Sequence, residues 1–337
     1  MITKVLPLTH TFPDIDTVKY LSAQYLTLPE YCPVFYDIET TGLSAASSYC
    51  YLIGCITYEK DTWILRQWLA ESSDEEICIL NTFSDFIRNY NYVIQYNGNK
   101  FDFPYLMSRS EKHHISMYLE NLPSLDLYQE LKMCKKLLQF QHMKQSDIEC
   151  FLNLNPRIFA DGKQCIKYYK DYIKKKDTNL LQEILGHNLE DLFGLGAICK
   201  MLNYRFLFSG DYTISHCSWD GEHYILHFTL PHPVPASFSF ISEGLYLTGT
   251  DQNMKLLINT SNGKLKMYYS NYKDYAYLPA EDTAIPKSLS TYIDKSLKKP
   301  AKPETCYTWF EINEHFLNSP EQQYKFMTHL LTFVLNH

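Results

Sequence analysis

The sequence predicts an α/β domain, with a mixed five-stranded sheet flanked by helices, followed by a mainly β domain that ends in a helix. Three observations carry this reading. Apolar runs of strand length, separated by short turns, come first, at 34–40, 50–58 and 62–69. Stretches with apolar residues at helical spacing then alternate with two further strand candidates, up to about residue 207. From about Gly210 the texture changes to short β-like runs between turn signals. The expected boundaries are an N-terminal arm at 1–30, the α/β domain at 31–207 and the β domain at 211–337.

Composition sets the outer limits. A hydrophobic content of 45% is ample for packed cores, and 20% charged residues is ordinary for a soluble chain. The net charge of −7 argues against a non-specific cationic coat for nucleic acid, but not against a site whose acids are neutralised by metal. The 28 Tyr and 19 Phe suit β-structure and base stacking equally. Ten Cys without a C-x-x-C pair read as reduced, mostly buried thiols. The N-terminus lacks the apolar core of a signal peptide, and no run of about 18 apolar residues occurs, so a cytoplasmic location without membrane contact is expected.

Along the chain, residues 1–30 read as an irregular arm with one short helix near Asp16–Gln24, broken by Pro7, Pro13 and Pro29. Val34–Thr40, Cys50–Tyr58 and Thr62–Leu69 form an antiparallel meander, with a turn at Glu59-Lys60-Asp61. Ser73 opens a helix through Asn89, with Glu76 at capping-box spacing. Asn91–Tyr96 is the fourth strand, and Asn97-Gly98 is a tight turn. Pro104 suits the first residue of the next helix, where its missing N–H costs nothing. The fifth strand falls near Ile115–Leu119 or Ser124–Leu125, and Asp126 then caps a helix at Leu127–Leu138. Ser146 and Glu149 read as the capping pair of a further helix. Ala160–Lys176 is a helix with Lys163, Lys167, Lys170 and Lys174 on one face. Its simplest reading is a solvated face, and its functional reading is a phosphate track. Thr178–Leu207 is one long helix or two. In the second domain, strands are expected at Tyr224–Leu230, Ser237–Ile241, Leu245–Thr248, Lys255–Ile258, Lys264–Tyr269 and Tyr275–Leu278. Ser261-Asn262-Gly263-Lys264 signals a hairpin, Asp282–Lys295 a helix interrupted by Pro286, and Glu321–Leu335 a final apolar-striped helix.

The chemistry centres on Asp37 and Glu39. Alternation along a strand points both to one face, where like charges repel and are poorly solvated unless a divalent cation joins them. The alternative is an edge strand with both acids in water. Asp102 sits at the strand-to-helix junction after the fourth strand. Asp191 lies on a late helix, with His187 one turn before it on the same face. Four carboxylates and an imidazole base are the ingredients of two-metal phosphodiester hydrolysis. Such a donor set favours Mg²⁺ or Mn²⁺.

Asp37-Ile38-Glu39-Thr40-Thr41-Gly42-Leu43 resembles the first motif of the DEDD superfamily of 3′–5′ exonucleases, which have a ribonuclease H-like fold. Tyr96-Asn97-Gly98-Asn99-Lys100-Phe101-Asp102-Phe103-Pro104-Tyr105-Leu106 is similar to the second motif of family B polymerase proofreading domains, and His187-Asn188-Leu189-Glu190-Asp191 stands at the third. The overall pattern most resembles the bacterial YprB-like proteins over roughly 30–205. This resemblance implies Asp37, Glu39, Asp102 and Asp191 as metal ligands, His187 as base, and a nucleic acid with a single-stranded 3′ end as substrate. It implies no obligate protein partner. One departure stands out: His187 is four residues before the last Asp, the spacing of the tyrosine subclass, whereas the histidine subclass spaces them by five. No polymerase domain is expected to follow. A non-catalytic nucleic-acid-binding module and a structure-selective endonuclease on the same core are the competing functions.

Several other groups invite chemistry. Asp126 as an outer acid competes with its role as a cap, and Asn97 as a substrate contact competes with a plain turn residue. His113 and His114 read as an exposed helix end. His216, Cys217, His223 and His227 lack a clean four-ligand zinc pattern. Lys255, Lys264 and Lys266 with Tyr268, Tyr269 and Tyr272 offer charge and stacking to a single strand, although packing explains the aromatics as well.

Overall fold

The computed structural model describes residues 1–8, 12, 13, 15–25, 33–242 and 244–336. The chain divides into two compact units, one of Met1–Lys132 with His142–Leu202 and the other of Met133–Gln141 with Asn203–His337.

The first unit carries β1 (Ile2–Pro7), α1 (Ile15–Tyr25), β2 (Pro33–Thr40), β3 (Cys50–Glu59), β4 (Thr62–Leu69), α2 (Glu76–Phe86), β5 (Tyr92–Gln95), α3 (Asp102–Lys112), β6 (Ser124–Asp126) and α4 (Leu127–Leu131). After the excursion of α5 (Cys134–Leu137) into the second unit, it continues with α6 (Gln145–Phe151), α7 (Gly162–Lys175) and α8 (Thr178–Ile198). Its sheet runs β1-β4-β3-β2-β5-β6. The β2-β3-β4 meander is antiparallel, and β5 and β6 join parallel to β2 and to each other. The meander turns tightly because Lys60 and Asp61 both take positive φ (46° and 62°), the twist-matched geometry of a two-residue hairpin.

Residues 2–7 correct the reading of an irregular arm. They form an edge strand, paired from Ile2↔Leu69 to Pro7↔Ile64. Such an edge tolerates Pro7, because among the described residues no strand lies on the other side of β1. The rest of that expected arm falls partly outside the described residues. Further corrections concern the helices. The expected helix at Leu127–Leu138 is two short ones, and α6 is capped by Lys144 with Asp147 instead of by Ser146 with Glu149. Glu76 is no capping residue either. It is fully buried, and its Oε1 accepts from the Cys50 N–H and Arg109 Nε, each at 2.8 Å. Its Oε2 accepts from Arg109 Nη2 and lies 2.8 Å from His113 Nε2. His113 is therefore tied into this cluster and is not simply an exposed helix end.

Strand β2 is interior to the sheet, between β3 and β5, which removes the edge-strand alternative for its acids. Its two faces divide as a pleated strand must. Val34, Tyr36 and Ile38 enter a core with Ile53, Trp68, Leu80, Phe83 and Leu106. Phe35, Asp37 and Glu39 face the other way; Phe35 meets Phe12 edge-on at 4.8 Å, and Asp37 meets Asn188 of α8.

The second unit holds α9 (Phe206–Ser209), the five strands β7 (Thr213–Trp219), β8 (His223–Thr229), β9 (Phe238–Ser242), β10 (Leu245–Thr250) and β11 (Asn253–Asn259), then β12 (Lys264–Tyr268), β13 (Tyr275–Leu278), β14 (Thr283–Pro286), α10 (Lys287–Ser290), β15 (Lys299–Pro300), β16 (Tyr307–Glu311), α11 (Glu314–Leu317) and α12 (Pro320–Asn336). The first five form an antiparallel sheet ordered β7-β8-β11-β10-β9. Asn262 and Gly263 make the expected tight turn, with φ of 50° and 72°. Beyond it β12 pairs with β16 instead of folding back on β11. The stretch expected as an interrupted helix at Asp282–Lys295 begins as β14, because Pro286 ends a strand paired to β13; Lys287–Ser290 is its α-helical part, and a 3-10 turn opens at Lys295.

Candidate active site

Five side chains from three parts of the first unit line one open cleft: Asp37 and Glu39 from β2, Asp102 from the start of α3, and His187 and Asp191 from α8, with Tyr96, Asn97 and Phe101 completing the wall. Each arrives for a local reason. Asp37 and Glu39 share a face of β2 through the period of two. His187 and Asp191 are one helical turn apart, and α8 packs against that face.

Asp102 depends on the turn before it. Asn97 takes φ 58°, and a Cβ on Gly98 would fall 1.9 Å from Gln95 Oε1 and 2.9 Å from Asp102 Oδ2. Only glycine leaves room there for the Gln95 side chain and the Asp102 carboxylate together. Asp126 holds this turn. It accepts from the Asn97 N–H at 2.8 Å and the Asn99 N–H at 3.2 Å, while also capping α4 through the Tyr128 and Gln129 N–H groups. Its role as a cap stands, and the same carboxylate also shapes the approach to Asp102.

Asp37 is set by a chain of contacts that crosses the sheet. Asp37, Gly54 and Gln67 lie side by side on β2, β3 and β4. Because Gly54 has no side chain, Asn188 lies directly on the sheet there; a Cβ would come within 1.9 Å of its Oδ1. Asn188 Nδ2 donates to Asp37 Oδ2 at 2.9 Å, and its Oδ1 accepts from Gln67 Nε2 at 2.9 Å. Gln67 Nε2 also donates to the Leu185 carbonyl at 2.8 Å. On Glu39, Oε2 accepts from the Tyr51 hydroxyl at 3.4 Å, and Oε1 lies 3.4 Å from His187 Nε2. The same His187 nitrogen lies 3.3 Å from Asp191 Oδ2.

Asp191 has one further partner. Arg157 Nη1 donates to its Oδ1 at 2.5 Å, while Arg157 Nε and Nη2 engage Glu149 at 2.8 and 2.7 Å. The Arg157 loop is fastened to α8, since Glu190 accepts from the Ile158 and Phe159 N–H groups and Glu183 from that of Ala160. Sequence reading gives no site role to Arg157, Asn188 or Gln67, and reads Glu149 only as a helix cap. Asn188 was within reach, because it stands next to His187 in the third motif. Arg157 sits in an aperiodic loop and gave no signal.

The electrostatics follow from this packing. Burial, then the charges of Asp191, Asp102 and Glu39, push the Asp37 carboxyl well above its ordinary value, and the Asn188 hydrogen bond pulls the other way. Burial and the charges of Asp191 and Asp102 likewise raise Glu39, against the Tyr51 hydrogen bond and Arg157. Asp102 is pushed up to about 7, mainly by burial, against backbone hydrogen bonds at Asp102 and Ile38. Among the described residues Arg157 is the guanidinium that reaches this group, and it pairs with Asp191 and Glu149 and acts on Glu39, but no basic side chain is paired with Asp37 or Asp102. A divalent cation would offset that repulsion, and the oxygen-rich donors suit a hard ion. Glu39, His187 and Asp191 each offer a ligand atom, all within 4.8 Å of one another. Among the described residues no comparable group includes His216, Cys217, His223 or His227. His216 and His227 pair across β7 and β8 with ring centroids 6.2 Å apart.

A search of curated proteins finds no match. Among solved structures, the family B DNA polymerase from the hyperthermophilic archaeon Pyrobaculum calidifontis is similar over 54% of this chain and 26% of its own, at 17% identity and a TM-score of 0.43. This chain thus spans about a quarter of that polymerase. A family model of the RNase_H superfamily matches residues 34–203, half of the chain. That span runs from β2 through α8 and includes all five acidic and imidazole side chains of the cleft; this chain belongs to the RNase_H superfamily.

Proposed function

We propose that this protein is a metal-dependent 3′–5′ exonuclease that hydrolyses phosphodiester bonds in DNA or RNA, acting on single-stranded 3′ ends. The observation that carries the reading is the convergence of Asp37, Glu39, Asp102, Asp191 and His187 on one cleft, where among the described residues Arg157 pairs with Asp191 and no basic side chain pairs with Asp37 or Asp102. The motif resemblance at Asp37–Leu43 and Tyr96–Leu106 supports the exonuclease class and the polarity.

In this reading the four carboxylates hold Mg²⁺ or Mn²⁺. When bound, the metal lowers the pKa of a water and stabilises charge on the scissile phosphate. The protein's own part is positioning. Asn188 and Gln67 fix the rotamer of Asp37, Tyr51 fixes Glu39, and the Asn97-Gly98 turn aims Asp102. His187 Nε2, held between Glu39 and Asp191, orients the attacking water and takes its proton. Tyr96 donates to the Met143 carbonyl at 2.6 Å, so this wall of the cleft is braced where a terminal nucleotide would rest.

The test is purified protein with Mg²⁺ or Mn²⁺ against end-labelled single- and double-stranded DNA and RNA, with circular and 3′-blocked controls. Stepwise shortening from free 3′ ends is expected, abolished by EDTA and in Asp37→Ala. Cutting of circles would assign an endonuclease. Hydrolysis undiminished in Asp37→Ala would remove the site from the reaction.

A further inference from the structure

We propose that the lysine row on α7 is the track on which a nucleic-acid strand lies as it leaves the cleft, its phosphates meeting Lys163, Lys167, Lys170 and Lys174. This rests on the nuclease reading above and deepens it, since it makes substrate capture a matter of backbone charge and not of base sequence.

The helix begins at the cleft. Gly162 is its first residue, and a Cβ there would stand 3.3 Å from His187 Nε2. From Lys163 to Lys174 the axis advances about 16 Å, at about 1.5 Å per residue, enough to run beside several successive phosphates. The spacing of four, three and four residues keeps the lysines on one face, and all four are exposed. Cys165, Tyr169 and Tyr172 are buried on the opposite face, with Tyr169 and Tyr172 packed in a core with Tyr51, Leu52 and Leu69. That packing holds the row rigid and turns it to solvent. Among the described residues none of the four lysines has a salt-bridge partner, whereas Lys176 at the helix end is taken by Glu71 at 2.8 Å. Two acids flank the row: the exposed Asp161, which caps α7 two residues before Lys163, and the half-buried Asp171. A row of four cations without salt-bridge partners among the described residues, in a chain of net charge −7, starts beside Gly162, whose Cβ position faces His187 of the acidic cleft. A polyanion whose end enters that cleft is the occupant these charges fit.

The experiment measures binding of a labelled single strand of mixed sequence to the full chain in the Asp37→Ala background, across a salt series. The same protein carrying Lys163→Gln, Lys167→Gln, Lys170→Gln and Lys174→Gln is expected to bind on the order of 100-fold more weakly at low salt. The slope of log affinity against log salt should flatten by roughly 3, at about 0.7 for each phosphate no longer neutralised. A control with Lys112→Gln, Lys273→Gln, Lys287→Gln and Lys325→Gln has the same net charge and should match the parent; circular dichroism confirms that both variants fold. The track is overturned if the row variant keeps the parent's affinity and slope, or if the control weakens as much. If protein retaining Asp37 cleaves strands while the row variant binds normally, the track alone falls. If the chain neither binds nor cleaves any strand, the nuclease reading falls, and the track with it.

Discussion

Two buried acidic centres occupy the first unit, and they are neutralised in opposite ways. At Glu76 one carboxylate, with no exposed surface, meets Arg109, His113 and the Cys50 N–H, and Arg109 reaches on to the Ala45 carbonyl at 2.8 Å. Every charge there has a partner, and the cluster ties α2, α3, β3 and the 44–50 loop together. In the cleft, Arg157 pairs with Asp191, no basic side chain among the described residues pairs with Asp37 or Asp102, and burial with mutual repulsion raises Asp37, Glu39 and Asp102. The first arrangement holds a fold. The second costs stability, and it is explained only if something outside the chain completes it.

The comparison breaks most sharply on activity. Asp37→Ala should lower cleavage of a labelled strand on the order of 1,000-fold or more, because the proposed metal site would lose the acid that Asn188 positions. Glu76→Ala should act on the fold instead. It leaves Arg109 buried without its counter-charge, and urea unfolding should show a loss of about 3–5 kcal/mol. Equal destabilisation by Asp37→Ala would erase the distinction between the two centres.

A smaller effect is expected one residue further out from the acids. Asn188→Ala and Gly54→Ala should each reduce cleavage or metal affinity about 10- to 100-fold, by releasing Asp37 from its fixed rotamer. Full activity in Gly54→Ala would mean that Asn188 has no positioning role. The smallest effect has the opposite sign. Glu39→Gln removes one charge from a crowded site and keeps an acceptor for Tyr51, so in EDTA it should stabilise the protein by about 0.5–2 kcal/mol. A lower melting temperature would show that Glu39 contributes to the fold as Glu76 does.

What the sequence disclosed followed its periodicities. The period of two placed Asp37 and Glu39 on one face, helical spacing paired His187 with Asp191, and the Asn97-Gly98 turn carried Asp102 to a helix start. Those patterns are local, and the cleft is assembled from them. Glu76 misled because its spacing from Ser73 matches a cap, while its real partners lie 26, 33 and 37 residues away, where no local pattern points. Strand β1 escaped notice because it pairs on one side only, leaves most of its residues exposed and ends in proline. The turn at Asn262-Gly263 was legible, but the partner of β12 was not: β16 lies roughly forty residues on. Arg157 has no period and no motif, and its place beside Asp191 depends on how its loop is fastened to α8.

The measurement closest to the central claim is the melting temperature as Mg²⁺ or Mn²⁺ is added to metal-free protein. If the unbalanced acids are held ready for a cation, wild type gains about 2.7 kcal/mol at a hundredfold excess over the dissociation constant, and Asp37→Ala with Asp191→Ala gains nothing. A wild-type melting temperature that does not move with either ion would contradict the account.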